Sequence, residues 1–139
     1  MRTKRSGFTL VEILIVVVIL GILAAIVIPQ FTQASTEAKE SSLQSNLQTI
    51  RSQIELYKIQ HNDQWPRVDS LANFTADMCT QQGGFGPYLQ KIPLNPFATG
   101  ALDLTSGAGA GTPAAANHWY VNTTDNTFHA IDSAAHYAY

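Results

Sequence analysis

The segment ILIVVVILGILAAIVI, residues 13–28, contains sixteen residues and no polar side chain. Counted from Phe8, the apolar segment has twenty-one residues and is interrupted only by Thr9 and Glu12. A helix over residues 8–28 is about 31 Å long, close to the roughly 30 Å of hydrocarbon in a bilayer. The sequence therefore predicts a membrane-spanning helix. It also raises a question, because an ionised side chain inside a bilayer is costly and is usually functional.

The basic residues are concentrated at the N terminus. Arg2, Lys4 and Arg5 are three of only eight Lys and Arg side chains in 139 residues. The rest of the chain has five basic and ten acidic side chains, a formal charge of −5, so it offers no basic face to nucleic acid. Because cations that flank a span remain in the cytoplasm, we expect a cytoplasmic N terminus.

Two ordinary explanations of this segment are a secretory signal peptide and a simple signal anchor. A signal peptide has an apolar region of about 7–15 residues followed by a small-x-small cleavage site. The sequence after the span, PQFTQAS over residues 29–35, has no such pattern. An anchor agrees with the charge distribution, but it explains neither Glu12 nor the glycine at position 7.

The stretch Gly7-Phe-Thr-Leu-Val-Glu12 resembles the N-terminal signal of type IV prepilins and type II secretion pseudopilins. The resemblance implies that a dedicated membrane peptidase cuts between Gly7 and Phe8 and N-methylates Phe8. Residues 1–7 are then a cleaved leader, residues 8–28 a transmembrane and assembly helix, residues 29–62 its amphipathic continuation, and residues 63–139 a periplasmic head.

Cleavage would create a cationic amine at Phe8, and this amine offers a partner for Glu12. The carboxylate of one subunit can meet the amine of a neighbour, so that each charge offsets the other in low dielectric. Within one helix Phe8 and Glu12 are also neighbours at i and i+4, and an intramolecular pair is the alternative before assembly.

Gly21 and Pro29 are the two weak points of the predicted helix. Proline removes the hydrogen bond to the carbonyl of residue 25 and crowds it, which predicts a kink or a local loss of helix. The resemblance implies that assembled filaments lose helix between these two positions. A simple bend at the membrane surface is the other interpretation.

Beyond Pro29 the sequence becomes polar and rich in helix formers. Its apolar residues recur at spacings of four and three, which predicts one buried helix face: Leu43, Leu47, Ile50, Ile54 and Tyr57. A coiled-coil seam has the same spacing, but barely two heptads are present, so we interpret the stripe as core packing. The whole N-terminal part is expected to form one helix of about fifty residues.

The head is predicted to contain a short helix over residues 69–78, a proline loop over residues 82–97 and a C-terminal β-hairpin. The strands of the hairpin are residues 118–124 and 127–132, and one further short strand is expected near residues 101–104. The portion GPYLQKIPLNP, residues 86–96, resembles the loop after the long helix in major pseudopilins. The fold class is α+β and pilin-like, with a long helix packed on a small antiparallel sheet.

The resemblance also implies a calcium site in the C-terminal loop, although this sequence supports it poorly. Asp103, Asp125, Asp132 and Ser133 are available, and Asp125 and Asp132 are the weak candidates. No clustered carboxylate motif is present, and calcium takes six to eight oxygen ligands. No other cofactor is expected.

The remaining reactive residue types give no sign of enzyme chemistry. The four histidines, His61, His118, His129 and His136, lack zinc-ligand spacing, although the predicted hairpin could bring His118 and His129 opposite each other. Cys79 is the single cysteine, cannot form an intramolecular disulfide, and has no cationic neighbours in sequence to activate its thiol. No catalytic motif occurs, so we predict a protein that is not an enzyme.

The favoured prediction is the major pseudopilin of a type II secretion system. Its expected partners are copies of itself, the prepilin peptidase and methyltransferase, an inner-membrane assembly platform, minor pseudopilins and, before assembly, membrane lipid. We expect it in the bacterial inner membrane and then in a periplasmic filament. The alternatives are a type IV pilin for adhesion, motility or DNA uptake, and a membrane-anchored periplasmic binding module.

Overall fold

The computed structural model describes residues 7–139. Its elements are three helices and three strands: α1 (Leu10–Gln60), α2 (Leu71–Cys79), β1 (Leu104–Gly107), β2 (Trp119–Asn122), β3 (Thr127–Ala130) and α3 (Ala134–Tyr137). The chain divides into two compact units, one ending at Ala38 and one from Lys39 to Tyr139. The predicted leader, except for Gly7, lies outside the described residues.

Helix α1 is a single helix of 51 residues, as the sequence predicted. It continues through both Gly21 and Pro29, so no local loss of helix occurs at either position in this structure. The helix ends at a turn in which Asn62 and Asp63 have φ angles of 54° and 65°. Asn and Asp tolerate this left-handed conformation better than most residues, which explains why the helix stops here.

The apolar stripe of α1 lies in the core of the second unit. All five predicted residues are buried, and Leu43 and Ile50 are completely inaccessible to solvent. They share one cluster with residues of α2 and of the sheet, including Phe74, Trp119 and Phe128. Because these partners belong to the same chain, the stripe is a core face, and the core interpretation is confirmed.

Helix α2 and the proline loop pack as one corner of the head. The Ser70 hydroxyl accepts the Asn73 N–H at 3.2 Å and caps α2, which begins two residues later than predicted. The backbone N–H groups of Tyr88 and Leu89 both donate to the Met78 carbonyl at 2.9 Å. The proline loop is therefore held against the C-terminal end of α2.

A buried carboxylate joins α2 to the segment that follows α1. Asp77 receives hydrogen bonds from the backbone N–H and the guanidinium of Arg67, and its side chain is only 3% exposed. Burial by itself would raise the pKa of Asp77, but these hydrogen bonds and the charge of Arg67 outweigh it and hold the pKa below its ordinary value. The carboxylate is thus kept ionised and paired.

The sheet is mixed rather than antiparallel throughout. The predicted hairpin is confirmed, because β2 and β3 are antiparallel, with Trp119 opposite Ala130. However, β1 pairs with β2 in parallel, with Leu104 opposite Trp119. Segment 108–118 carries the chain back along the sheet, so that β2 starts at the same end as β1. The carboxylate of Asp103 accepts the His118 N–H at 2.7 Å and holds the two strand starts side by side.

The stripe on α1 provides a test of this core. We expect Leu47→Ala to lower the free energy of unfolding by about 2–5 kcal/mol, because Leu47 is 1% exposed and its removal leaves a cavity. Ile59→Ala is the matched control: its side chain is 79% exposed on the same helix and should change stability by less than about 0.5 kcal/mol. Denaturant unfolding followed by the fluorescence of buried Trp119 measures both, and equal effects would contradict the assignment of the core face.

Candidate functional site

The start of α1 is built around Glu12. Residues 7–9 are not helical and are exposed, and the helix begins at Leu10. The carboxylate of Glu12 accepts the backbone N–H and the hydroxyl of Thr9, both at 2.8 Å. In return, the Glu12 N–H donates to the Thr9 hydroxyl at 3.3 Å. This reciprocal pattern is a capping box.

The capping box gives Glu12 a role within a single chain. The first N–H groups of a helix have no partner inside it, and an unpaired polar group in apolar surroundings is costly. Thr9 and Glu12 satisfy two of these donors, and a negative charge is also favoured at a helix N terminus. Thr9 was not predicted to belong to this site, although the pattern Thr-x-x-Glu before an apolar run is readable in the sequence.

The predicted cleavage site lies next to this cap. Gly7 and Phe8 are both exposed and precede the helix, so the peptide bond that joins them is not part of the helical hydrogen-bond ladder. In the uncleaved chain the nitrogen of Phe8 is a peptide nitrogen without charge. An ion pair between Phe8 and Glu12 therefore remains a prediction for the processed protein.

The span beyond the cap exposes its apolar surface completely. Every residue from 7 to 39 is exposed, and the large apolar side chains of the segment keep between 41% (Val27) and 83% (Phe8) of their surface accessible. By length and composition this part of α1 can cross a membrane. The surroundings of Gly21 are open, since an added Cβ would meet no atom within 4 Å.

The calcium candidates lie at different places in the head. Asp125 is in the exposed turn before β3, where it accepts the Thr127 hydroxyl at 2.6 Å, whereas Asp132 follows β3 and is buried. A four-residue strand, about 10 Å long, separates them, while two ligands of one calcium ion lie within about 5 Å of each other. The structure therefore does not bring Asp125 and Asp132 together.

Asp132 belongs instead to a buried polar cluster that we call the head clasp, formed by Asn95, His118, Asp132 and His136. Asp132 accepts the side-chain N–H of Asn95 with one oxygen, and its other oxygen lies 2.6 Å from Nδ1 of His136. Asn95 also donates its backbone N–H to Nδ1 of His118 at 3.1 Å. This cluster was not predicted, because its members are spread over some forty residues.

The remaining histidines and the cysteine do not form a site. His129 lies opposite Tyr120 in the hairpin, so His118 and His129 do not face each other. Burial raises the pKa of the Cys79 thiol, which disfavours the reactive thiolate. Within residues 7–139 no group of three or more His, Cys, Asp or Glu side chains is placed to hold a metal ion.

The capped helix start and the exposed apolar span define a chain with an N-terminal helix that can cross a membrane. Residues 2–28 match the family model described as the prokaryotic N-terminal methylation motif. The chain belongs to the family of the type II secretion system core protein G, as its resemblance in sequence predicted. The proteins of that name from Dickeya chrysanthemi and Pseudomonas aeruginosa are 35% and 34% identical to it.

These relationships extend over most of each chain. The match with the Dickeya protein covers 81% of this chain and 83% of the relative, and the match with the Pseudomonas protein covers 76% and 78%. The Vibrio cholerae core protein G is 30% identical, over 85% of this chain and 94% of the relative. No solved structure gives a significant match.

His129 makes the stability of the head dependent on pH. Burial lowers its pKa and the charge of Arg51 lowers it further, against the opposing effects of the Tyr137 carbonyl and Asp125. As the pH falls below about 6.5, the imidazole protonates in the unfolded chain before it does so in the folded chain, so the free energy of unfolding decreases.

We therefore expect the chain to be more stable at pH 8 than at pH 5.5, with a smaller difference in His129→Gln. Glutamine is a suitable replacement because it can still donate to the Tyr137 carbonyl, which lies 2.8 Å from Nδ1 of His129, and yet does not titrate. Denaturant unfolding at the two pH values measures the difference. An unchanged difference in the variant would show that His129 does not contribute.

Proposed function

We propose that this chain is the major pseudopilin of a type II secretion system, a structural subunit without enzyme activity. It polymerises into a periplasmic filament that drives the export of folded proteins across the outer membrane. The observation that carries this proposal is Glu12, an acidic side chain at the entrance of an exposed apolar span and four residues after Phe8. Membership of the core protein G family supports it.

The exposed span has two environments in which it can be buried. Before assembly, lipid covers it, and the cationic leader with Arg2, Lys4 and Arg5 keeps the N terminus in the cytoplasm and the head in the periplasm. After assembly, the same apolar surface packs against the spans of neighbouring subunits. Exchanging lipid for protein costs little hydrophobic free energy, because lipid tails are as apolar as the side chains. Interactions other than the hydrophobic effect must therefore favour the filament over the subunit in lipid.

Proteolytic processing would create a positive charge that can pair with the Glu12 carboxylate. Cleavage between Gly7 and Phe8 removes all three leader cations and leaves a single positive amine at Phe8, which the peptidase then methylates. The exposed, non-helical backbone at residues 7–9 supports access of the peptidase to this bond. The new amine remains a cation after methylation, since N-methylation retains a basic nitrogen.

In the processed protein Glu12 can pair with the Phe8 amine of its own chain before assembly, with Thr9, or with the Phe8 amine of a neighbour. In the single chain its carboxylate is held by the N–H and the hydroxyl of Thr9, which are neutral donors. A neighbouring Phe8 amine offers a full opposite charge, and in a dry environment the attraction between two opposite charges is stronger than that between a charge and a neutral donor. Pairing between subunits is thus favoured over the cap and sets the axial offset of one subunit on the next.

Gly21 and Pro29 permit a further change on assembly. Pro29 lacks the N–H that would bond to the carbonyl of residue 25, and glycine stabilises a helix least among residues other than proline. The segment between them is the cheapest part of α1 to unwind. We infer that it unwinds in the filament, where closer packing of neighbouring helices compensates the lost hydrogen bonds.

The filament would be assembled at its base by an ATP-driven inner-membrane platform, with minor pseudopilins as further partners. A type IV pilin remains the alternative within the same superfamily. Major pilins of that type usually close a C-terminal loop with a disulfide, which the single Cys79 cannot provide.

Mass spectrometry of the mature protein tests the processing step. We expect the protein isolated from cells with an active prepilin peptidase to begin at Phe8 and to carry one added methyl group there. Gly7→Val is the matched variant: its bulkier, branched side chain at the cut should leave the leader attached. A mature chain that still begins at Met1, or that has been cut near Ser35, would contradict the proposal.

Three variants separate the charge of Glu12 from its role in the cap. Glu12→Gln keeps a side chain that fits a capping box but removes the charge, Glu12→Ala removes both, and Thr9→Ala weakens the cap by about 0.5–2 kcal/mol and keeps the charge. We expect Thr9→Ala to form fibres, and both Glu12 variants to insert in the membrane without forming fibres. Electron microscopy of sheared fibres and membrane fractionation give the result.

The outcomes discriminate between the hypotheses. Normal fibres from Glu12→Gln would contradict charge pairing. Loss of fibres in Thr9→Ala alone would show that the cap is what assembly requires. An absence of fibres from the unmutated chain would favour a membrane-anchored binding module instead.

A further inference from the structure

The head clasp occupies the part of the head where the family resemblance leads one to expect calcium. It joins the proline loop at Asn95, the start of β2 at His118, the end of β3 at Asp132, and α3 at His136. All four side chains are at least nine-tenths buried, with exposures of 2–9%. The clasp therefore connects the C-terminal segment to the rest of the head from the inside.

The hydrogen bonds of Asn95 use both side-chain N–H donors and one lone pair of the side-chain oxygen. Its backbone N–H donates to Nδ1 of His118, its side-chain amide donates to Asp132 and to the His118 carbonyl, and its side-chain oxygen accepts the Phe97 N–H at 2.9 Å. An asparagine side chain can do little more than this. Asn95 is thus the hub that fixes the proline loop on the C-terminal strands.

The hydrogen-bond geometry also fixes the tautomer of His118 in the clasp. Because Nδ1 of His118 accepts the Asn95 N–H, its proton is on Nε2, which lies 3.2 Å from the Gly100 carbonyl and can donate to it. Nδ1 of His136 lies beside the second carboxylate oxygen of Asp132. Both the neutral ring with its proton on Nδ1 and the charged ring can donate to that oxygen. Among the described residues no buried side-chain nitrogen or oxygen is without a partner.

This donor set does not fit calcium. The clasp contains one carboxylate, and both of its oxygens are already hydrogen-bonded. Imidazole nitrogen is not a ligand that calcium prefers, and calcium requires six to eight oxygens. The other oxygen candidates have their own partners: Asp103 accepts the His118 N–H, and the Ser133 hydroxyl accepts the His136 N–H at 3.2 Å as the cap of α3.

We propose that in this chain the head clasp does by direct hydrogen bonds what a metal ion would otherwise do: it locks the C-terminal segment onto the proline loop. The pair Asp132–His136 is its outer half and the pair Asn95–His118 its inner half. The head consequently keeps its fold without calcium. This inference concerns the stability of the head and does not depend on filament formation.

Thermal unfolding of the full chain in detergent micelles tests the proposal. Trp119 is the reporter, because it is completely buried and donates its indole N–H to the Pro93 carbonyl at 2.8 Å beside the clasp. The unmutated chain is measured with about 10 mM calcium and with excess chelator, since weak extracellular calcium sites bind at about 0.1–1 mM. We expect the two Tm values to agree within about 1 °C, whereas a calcium site would raise Tm by at least about 4 °C.

Variants of the outer pair provide the second arm. We expect Asp132→Ala and His136→Ala each to lower Tm by several degrees, and the double variant to lower it by clearly less than the sum, because the two side chains contact each other. Asp125→Ala, on the exposed turn, is the control and should change Tm little. None of the four variants should respond to calcium.

Two results would overturn the clasp. A calcium-induced rise in Tm that Asp132→Ala abolishes and His136→Ala leaves intact would assign Asp132 to a metal site and overturn the clasp. Additive effects of the two alanine variants would also overturn it. If a variant does not fold, the calcium response of the unmutated chain still decides between the two explanations.

Discussion

Everything in the N-terminal half of this chain depends on how one carboxylate is accommodated at the start of an apolar helix. The helix leaves its first N–H groups without partners, and Glu12 brings a charge that apolar surroundings penalise. Thr9 meets both requirements. Its N–H and its hydroxyl donate to the Glu12 carboxylate, and its hydroxyl accepts the Glu12 N–H. The Glu12 carboxylate therefore has hydrogen-bond partners within its own chain, and its negative charge can still pair with a cation of another chain.

The same helix meets a different requirement beyond residue 39. There its polar faces are separated by a stripe of five buried residues, which supplies one wall of the head core. The transition from an all-apolar surface to an amphipathic one takes place without a break in α1. One helix thus has an apolar part suited to a membrane and an amphipathic part that packs on the head core. The change in its residue pattern marks the boundary between the two parts.

The features that the sequence predicted correctly are those with a local signature. The length of α1, the spacing of Leu43, Leu47 and Ile50, and the hairpin around Asp125-Asn126 all follow from residues close together in the chain. The sheet was predicted to be antiparallel, and the parallel pairing of β1 with β2 was not foreseen, because it depends on the path of segment 108–118 and on the contact between Asp103 and His118. Helix α3 was too short to leave a pattern. The clasp was missed for the same reason as the parallel pair: Asn95 and Asp132 meet only after the fold has formed.

The burial of the α1 stripe against the sheet has a consequence for biosynthesis. Leu47 is made roughly seventy residues before its partners Trp119 and Phe128, so this core consists of contacts that are distant along the chain and slow to form. In the proposed topology the head crosses the membrane, and until its C-terminal residues have followed, the stripe lacks its partners and is exposed to aggregation. In that topology the newly made chain needs either shielding by a chaperone on the far side of the membrane or rapid delivery of its last forty residues.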